Sequence, residues 1–152
     1  MLGKTHVLVA AIIAVLVLQV TEVSHPYLFF LLFVIASLLP DIDHPGSTLG
    51  RKLWPFSWGI RLVFGHRGLI HSIFIPIVLV VLGWYTGYLW LGAAVAGGYF
   101  IHLVTDALTP SGVKPFGIGP TFRGMIRTGG FLETIFYGLL LLLLAWMIVS
   151  NL

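Results

Sequence analysis

The residues of this chain best suited to chemistry are its histidines and aspartates, which stand at the ends of apolar runs. His102 and Asp106 are four residues apart, a spacing that puts both side chains on one face of a helix. An imidazole and a carboxylate in this arrangement can hold one cation. Without thiolates, such a ligand set suits Zn, Mn or Fe. The pair therefore predicts a site for a divalent metal.

Further candidate ligands precede or follow the other apolar runs: His6, Asp41, Asp43, His66 and His71. Asp41 and Asp43 could point two carboxylates into one pocket or bridge two ions. His66 and His71 are five residues apart and do not share a helical face, so we expect one in a loop and the other in the first turn of a helix. Three aspartates close together would repel one another, and a bound divalent ion would remove that cost.

The composition of the chain is that of a membrane protein. Hydrophobic residues make up 59% of the 152 residues and charged residues only 9%, whereas soluble domains have roughly 45–50% and about 25%. These values exclude a soluble enzyme, a disordered chain and a nucleic-acid-binding domain with a solvated basic face, so no nucleic-acid partner is expected. The absence of cysteine excludes disulfides and thiolate metal sites.

Apolar runs predict an all-α, polytopic membrane helix bundle with about five transmembrane helices, in a single domain over residues 1–152. The runs cover residues 7–20, 23–39, 69–85, 89–108 and 131–149. A membrane span needs about 20 residues, with a range of about 17–25. The run 23–39 is short, which leaves open four spans with one short or re-entrant helix.

The positive charges predict the orientation of this bundle. With five spans, the N-terminus and the polar stretches 40–68 and 109–130 share one side, and all eight Lys and Arg residues lie there. The positive-inside rule makes that side cytoplasmic. The candidate ligands reach the same side, and only His25 among the histidines falls on the other. We therefore expect a cytoplasmic site in a prokaryotic inner or plasma membrane.

Four blocks of the sequence resemble the YdjM-like family of membrane-bound, metal-dependent hydrolases. The blocks are Thr5-His6, LLPDIDHPGS at 38–47, GHRGLIHS at 65–72 and HLVTDALTPSGVKPF at 102–116. That family is itself similar to the zinc-dependent phospholipases C. The resemblance implies that one or more ions are held by His6, Asp41 or Asp43, His66, His71, His102 and Asp106.

The expected activity is metal-assisted hydrolysis of a phosphoester, in a lipid headgroup or another substrate close to the membrane. Zn is the first choice of ion, with Mn and Fe as alternatives. Asp43 is the preferred general base. Glu133, at the start of the last apolar run, could be a metal ligand, a general base or a charge at a helix N-terminus. Forked donors for the phosphate are available from Arg67, Arg123 and Arg127.

Two functions other than hydrolysis also fit these residues. The first is a non-catalytic or regulatory membrane protein that binds metal without turnover. The second is a metal or proton transporter, which needs polar residues through the membrane. The middles of the predicted spans contain almost none. The sequence names no particular substrate and no oligomeric state.

Overall fold

The computed structural model describes residues 1–43, 46–52, 55, 58–59 and 69–150, with the backbone alone at 43, 48, 49 and 69. Its α-helices are α1 (Gly3–Val20), α2 (Pro26–Ala36), α3 (Thr48–Lys52), α4 (Phe74–Tyr85), α5 (Leu89–Ala107) and α6 (Phe131–Ser150). Two 3-10 turns cover Pro40–Asp43 and Leu69–His71. The described residues form no β-strand, which confirms the predicted all-α fold.

Five of these helices are apolar, and each corresponds to one of the five predicted runs; α1 begins four residues before its run, and α6 ends one residue after its run. The helices α1, α5 and α6 have 18, 19 and 20 residues and are long and apolar enough to cross a membrane. In contrast, α2 and α4 have 11 and 12 residues. At about 1.5 Å per residue they reach roughly 17 and 18 Å, less than the hydrocarbon thickness of about 30 Å. The runs 23–39 and 69–85 are therefore α-helical only in part.

A proline explains why α2 is short, and a backbone hydrogen bond explains why α4 is short. Pro26 stands in the first turn of α2, where its missing N–H costs nothing, but α2 ends at Ala36 rather than at Pro40. The residue before a proline disfavours the α conformation, so a turn separates the two. The helix α4 begins late because the N–H of Ile73 donates to the Pro115 carbonyl at 2.7 Å. His71 consequently closes a 3-10 turn instead of lying in the first turn of α4.

The helix α5 is central and packs against α1, α2 and α4, while α6 packs against α1. Its closest approach to α2 is at Gly98, where an added Cβ would overlap the carbonyl oxygen of Phe33. Only glycine permits the two backbones to come this close. One helical turn further along both helices, the same close approach brings the Ser37 carbonyl against the His102 ring.

The segment 108–130, between α5 and α6, folds back over the end of α5. Val113 and Phe122 form an isolated antiparallel bridge, with both N–H to carbonyl distances at 2.9 Å. Further along, the N–H of Gly124 donates to the Thr109 carbonyl and that of Ile126 to the Leu108 carbonyl, both at 3.0 Å. The segment is thereby fixed beside the helix end that carries His102 and Asp106.

Candidate metal centre

Five of the predicted ligands meet at one end of the bundle and form what we call the His/Asp cluster. It consists of His6 from α1, Asp41 and His71 from the two 3-10 turns, and His102 and Asp106 from α5. The three histidines and Asp106 are at most 1% exposed, whereas the side chain of Asp41 is 22% exposed. The cluster is therefore buried, and Asp41 is its most accessible member.

The distances within the cluster are those expected between ligands of a common ion. His6 Nε2 lies 3.4 Å from Asp106 Oδ1. His102 Nε2 lies 3.8 Å from both Asp106 Oδ2 and Asp41 Oδ1. Zinc binds nitrogen and oxygen at about 2.0–2.2 Å, which in a tetrahedron separates two ligands by roughly 3.3–3.6 Å. Small side-chain movements would complete such a geometry.

Hydrogen bonding to the backbone sets the tautomer of His102. Its Nδ1 lies 2.7 Å from the carbonyl oxygen of Ser37. Because a carbonyl only accepts, Nδ1 must carry the proton and donate it, which leaves the lone pair of Nε2 directed into the cluster. Metal-binding histidines in proteins are commonly oriented by a hydrogen bond of this kind from their other ring nitrogen.

A threonine does the same for His6. The Thr105 hydroxyl is 2.9 Å from the carbonyl oxygens of Ile101 and His102, to which it donates its proton. Its oxygen therefore accepts from His6 Nδ1, 2.6 Å away. The Nε2 of His6 is again left as the unprotonated nitrogen, and it faces Asp106.

These contacts provide a test of whether the residues fit a metal ion. The buried Nε2 atoms of His6 and His102 make no hydrogen bond within the part of the chain that the structure describes. Buried polar atoms are normally satisfied, so each such atom calls for an explanation. Two ligand groups, His6 with Asp41 and His102, and His71 with His102 and Asp106, each have their ligand atoms within 4.8 Å of one another. The residues fit a divalent ion with nitrogen and oxygen ligands.

Asp41 and Asp106 have different electrostatic surroundings. Burial is the main reason that the pKa of the Asp41 carboxyl is raised above its ordinary value. The backbone of Asp41 is held in place by the Ser47 hydroxyl, which donates to its carbonyl at 2.7 Å. Asp106 instead accepts a hydrogen bond from the α-amino group of Met1, at 2.6 Å from Oδ1.

Glu133 lies at the same end of the bundle, but its hydrogen-bond partners are different. Its Oε1 accepts from the Leu2 N–H and the Thr5 hydroxyl, both at 2.7 Å. Its Oε2 accepts from the Gly129 N–H at 2.6 Å. These contacts, which we call the Glu133 anchor, join α1, α6 and the segment 108–130. Of the three roles that the sequence leaves open for Glu133, they favour that of a charge at a helix N-terminus.

The remaining predicted residues are not brought into the cluster by any described contact. Arg123 and Arg127 lie exposed on the segment 108–130. The backbone of Asp43 belongs to the first 3-10 turn, but its side chain, together with His66 and Arg67, lies outside the described residues. His25 is at the opposite end of the bundle, where its ring packs edge-on against Trp90 at 5.1 Å.

The residues that orient the ligands were not among the predicted site residues. Ser37 acts through its backbone carbonyl, a group that every residue has, so its residue type does not reveal the role. Thr105 had a usable signal, because it lies three residues after His102 and therefore near the same face of α5. Thr5, which precedes His6 directly, serves Glu133 rather than the cluster.

Comparison with known proteins gives a family. The family model described as YdjM inner membrane protein matches residues 1–151. The proteins described as inner membrane protein YdjM in Escherichia coli (strain K12) and Shigella flexneri are each 40% identical over 87 residues, covering 53% of this chain and 44% of the relative. This chain therefore matches less than half of the length of those two relatives.

A third relative matches over most of both chains. The uncharacterized protein YvsG of Bacillus subtilis (strain 168) is 31% identical over 144 residues, covering 89% of this chain and 86% of that protein. No solved structure gives a match. The resemblance of the four sequence blocks is thus confirmed at the level of the family, and the likeness to zinc-dependent phospholipases C stays a prediction.

Proposed function

This chain belongs to the YdjM inner membrane protein family and is an integral membrane protein, and on that premise we propose that it is a metal-dependent hydrolase of phosphoester bonds. Its substrate is a lipid headgroup or another phosphoester at the membrane surface. One observation carries the proposal: two buried imidazole Nε2 atoms, each oriented from behind, face the carboxylates of Asp106 and Asp41. Such a set provides the ligand types and the exclusion of water that a catalytic divalent ion requires.

In this proposal His6, His102 and Asp106 hold the ion, with His71 and Asp41 completing its ligands. When bound, a zinc-like ion supplies Lewis-acid activation of water and of the phosphoryl oxygen. The partly exposed Asp41 marks the side from which water and substrate enter. The protein contributes fixed imidazole orientations through Ser37 and Thr105.

The general base in the proposal is Asp43, which follows Asp41 by two residues in the first 3-10 turn. It accepts a proton from the attacking water as the new P–O bond forms, and it passes that proton to the oxygen of the departing alcohol as the old P–O bond breaks. Glu133 is assigned a positioning role instead, because donors engage both of its oxygens. Arg123 and Arg127 are free to reach a phosphate from their exposed places on the segment 108–130.

Hydrolysis is tested with purified protein in detergent, against a panel of phospholipids and soluble phosphodiesters, with and without added Zn, Mn or Fe. Asp43→Asn should keep its metal and lower turnover by about 10²–10⁴-fold, the usual share of a general base. Glu22→Gln, an exposed carboxylate at the other end of the bundle, is the matched control and should retain full activity. Metal-loaded wild type that hydrolyses none of the panel would favour a non-catalytic metal-binding protein.

The proposed orientation places the N-terminus and the His/Asp cluster on the cytoplasmic side, where the positive-inside rule puts the Lys and Arg residues. The chain has no cysteine, so single cysteines report sidedness without background. Ser111→Cys, near the cluster, should be protected from a membrane-impermeant maleimide in intact cells. Ser24→Cys, at the opposite end, should react; the reverse pattern would contradict the orientation.

A further inference from the structure

An apolar groove runs along the outside of α4 and α5. Its upper part, next to the segment 108–130, has a volume of about 220 Å³. Its lower part lies between α4 and α5 and has a volume of about 470 Å³. Ile73 and Phe100 line both parts, so the two adjoin. Every side chain that lines the groove is apolar, and it has one face open to the surroundings of the helices.

The groove follows a regular stripe of α5. The stripe consists of Ala93, Gly97, Phe100, Val104 and Ala107. These positions recur every three or four residues, which places them on one face of the helix. From residue 93 to residue 107 the stripe is about 21 Å long at about 1.5 Å per residue. That length exceeds one leaflet of hydrocarbon, about 15 Å or half of the bilayer core.

The upper end of the groove lies beside the His/Asp cluster. Ile73 follows the cluster residue His71 by two positions, and Leu103 is next to His102. The segment 108–130 covers this end with Val113, Pro115 and Phe122, and the hydrogen bond from Ile73 to Pro115 fixes it there. A molecule seated in the groove would therefore end at the same depth as the cluster, on a neighbouring face of α5.

The surroundings determine what can occupy such a groove. Because α5 is long and apolar enough to span a membrane, the groove opens onto lipid rather than water. The segment 108–130 covers the upper part with Val113, Pro115 and Phe122, so a helix of another protein could not lie along the whole length of the groove. A single flexible hydrocarbon chain fits both the volume and the length.

We propose that this groove binds an acyl chain of a membrane phospholipid and that the chain guides the headgroup ester to the His/Asp cluster. The inference rests on the proposed function, since it takes the lipid in the groove to be the substrate. It narrows the substrate class to acylated phosphoesters. The exposed cations Lys114 and Arg123 flank the bridge between Val113 and Phe122, at the level where a headgroup phosphate would lie.

The test blocks the groove and follows a lipid probe. Purified full chain is irradiated with long-chain phosphatidylglycerol carrying a diazirine in one acyl chain, and the label is mapped by mass spectrometry. Label should concentrate on α4 and α5. Val104→Trp, in the upper part, and Val81→Trp, in the lower part, should each lower it at least about tenfold, equivalent to about 1.4 kcal/mol of binding. Val78→Trp, lipid-exposed on α4 but outside the groove, should leave it unchanged.

Turnover of a long-chain and a short-chain, soluble phosphatidylglycerol provides the second readout. Val104→Trp should lose activity on the long-chain lipid and keep it on the soluble one. Equal labelling of α6, or labelling that both tryptophan variants leave intact, would overturn the groove assignment. If wild type is labelled in the groove but hydrolyses neither lipid, the hydrolase proposal fails while the acyl-chain site stands.

Discussion

Asp106 and Glu133 are both buried carboxylates at the same end of the bundle, 1% and 2% exposed, and their neighbours differ in kind. Glu133 accepts from two backbone N–H groups and one hydroxyl, which occupy both of its oxygens. Asp106 accepts from the α-amino group of Met1 at 2.6 Å from Oδ1, and it also has two imidazole Nε2 atoms at 3.4 and 3.8 Å. Those nitrogens carry lone pairs, because their Nδ1 atoms hold the protons.

The difference separates a structural carboxylate from a ligand. Donors satisfy Glu133 in full, so its surroundings stabilise the ionised side chain without any added group. Around Asp106, the α-amino group of Met1 reaches Oδ1, but lone pairs of two imidazole nitrogens also face the carboxylate, an arrangement that a bound cation stabilises. Changes around Asp106 should therefore act on metal binding, and changes around Glu133 should act on the stability of the fold.

Loss of a ligand should have the largest effect. Asp106→Ala or His102→Ala should weaken binding of zinc by roughly a hundredfold to nearly a thousandfold, since a four-ligand site contributes about 10–16 kcal/mol in all and one ligand about a quarter of it. Chelator competition measures the affinity. His25→Ala, at the far end of the bundle, is the control and should bind normally. Unchanged affinity in Asp106→Ala would remove the α5 pair from the site.

Removal of the Glu133 carboxylate should act on stability instead. Glu133→Ala leaves three donors of the Glu133 anchor without a partner, and at about 1–3 kcal/mol each we expect a loss of about 3 kcal/mol or more in the free energy of unfolding in detergent. Glu133→Gln keeps one acceptor oxygen and should lose less. Zinc affinity should change little in Glu133→Gln, and a loss as large as that of Asp106→Ala would mean that Glu133 is itself a ligand.

The hydroxyl behind His6 offers a finer comparison. Thr105→Val removes the acceptor for His6 Nδ1 and should weaken zinc binding by about 10–100-fold, as loss of a hydrogen bond that orients a metal ligand commonly does. Thr105→Ser restores the hydroxyl and should restore most of the affinity. If serine does not restore it, Thr105 acts by packing rather than by orienting the imidazole of His6.

The smallest effect is expected where the segment 108–130 meets the Glu133 anchor. Gly129 has a φ of 72°, a conformation that costs other residues about 1–2 kcal/mol. Gly129→Ala should therefore lower the unfolding free energy by about 1 kcal/mol, with zinc affinity unchanged. Gly138→Ala, within α6 where an added Cβ meets open space, is the control and should cause no loss.

Much of this arrangement follows from the sequence. Helices that alternate in direction return their ends to the same side, so residues at the start of α1, after α2, before α4 and at the end of α5 had to meet. The spacing of His102 and Asp106 then gave the shared face. The separation of His25 from the cluster follows from the same alternation.

The remainder depends on backbone contacts that residue types do not reveal. The end of α2 at Ala36, rather than at Pro40, frees the Ser37 carbonyl that orients His102. This contact also needs the close approach at Gly98, which a count of apolar residues cannot locate. For Glu133, two of the three donors are backbone N–H groups, so a ligand, a base and a structural carboxylate look alike in the sequence.

The most direct test of the account is X-ray absorption at the edge of the metal that co-purifies with the wild-type protein. We predict a shell of nitrogen and oxygen at about 2.0–2.2 Å, with the multiple scattering of at least two imidazoles, and loss of that signature in His102→Ala. A folded protein that takes up no zinc, manganese or iron, or a bound metal without imidazole scattering, would contradict the assignment of the His/Asp cluster as a metal centre.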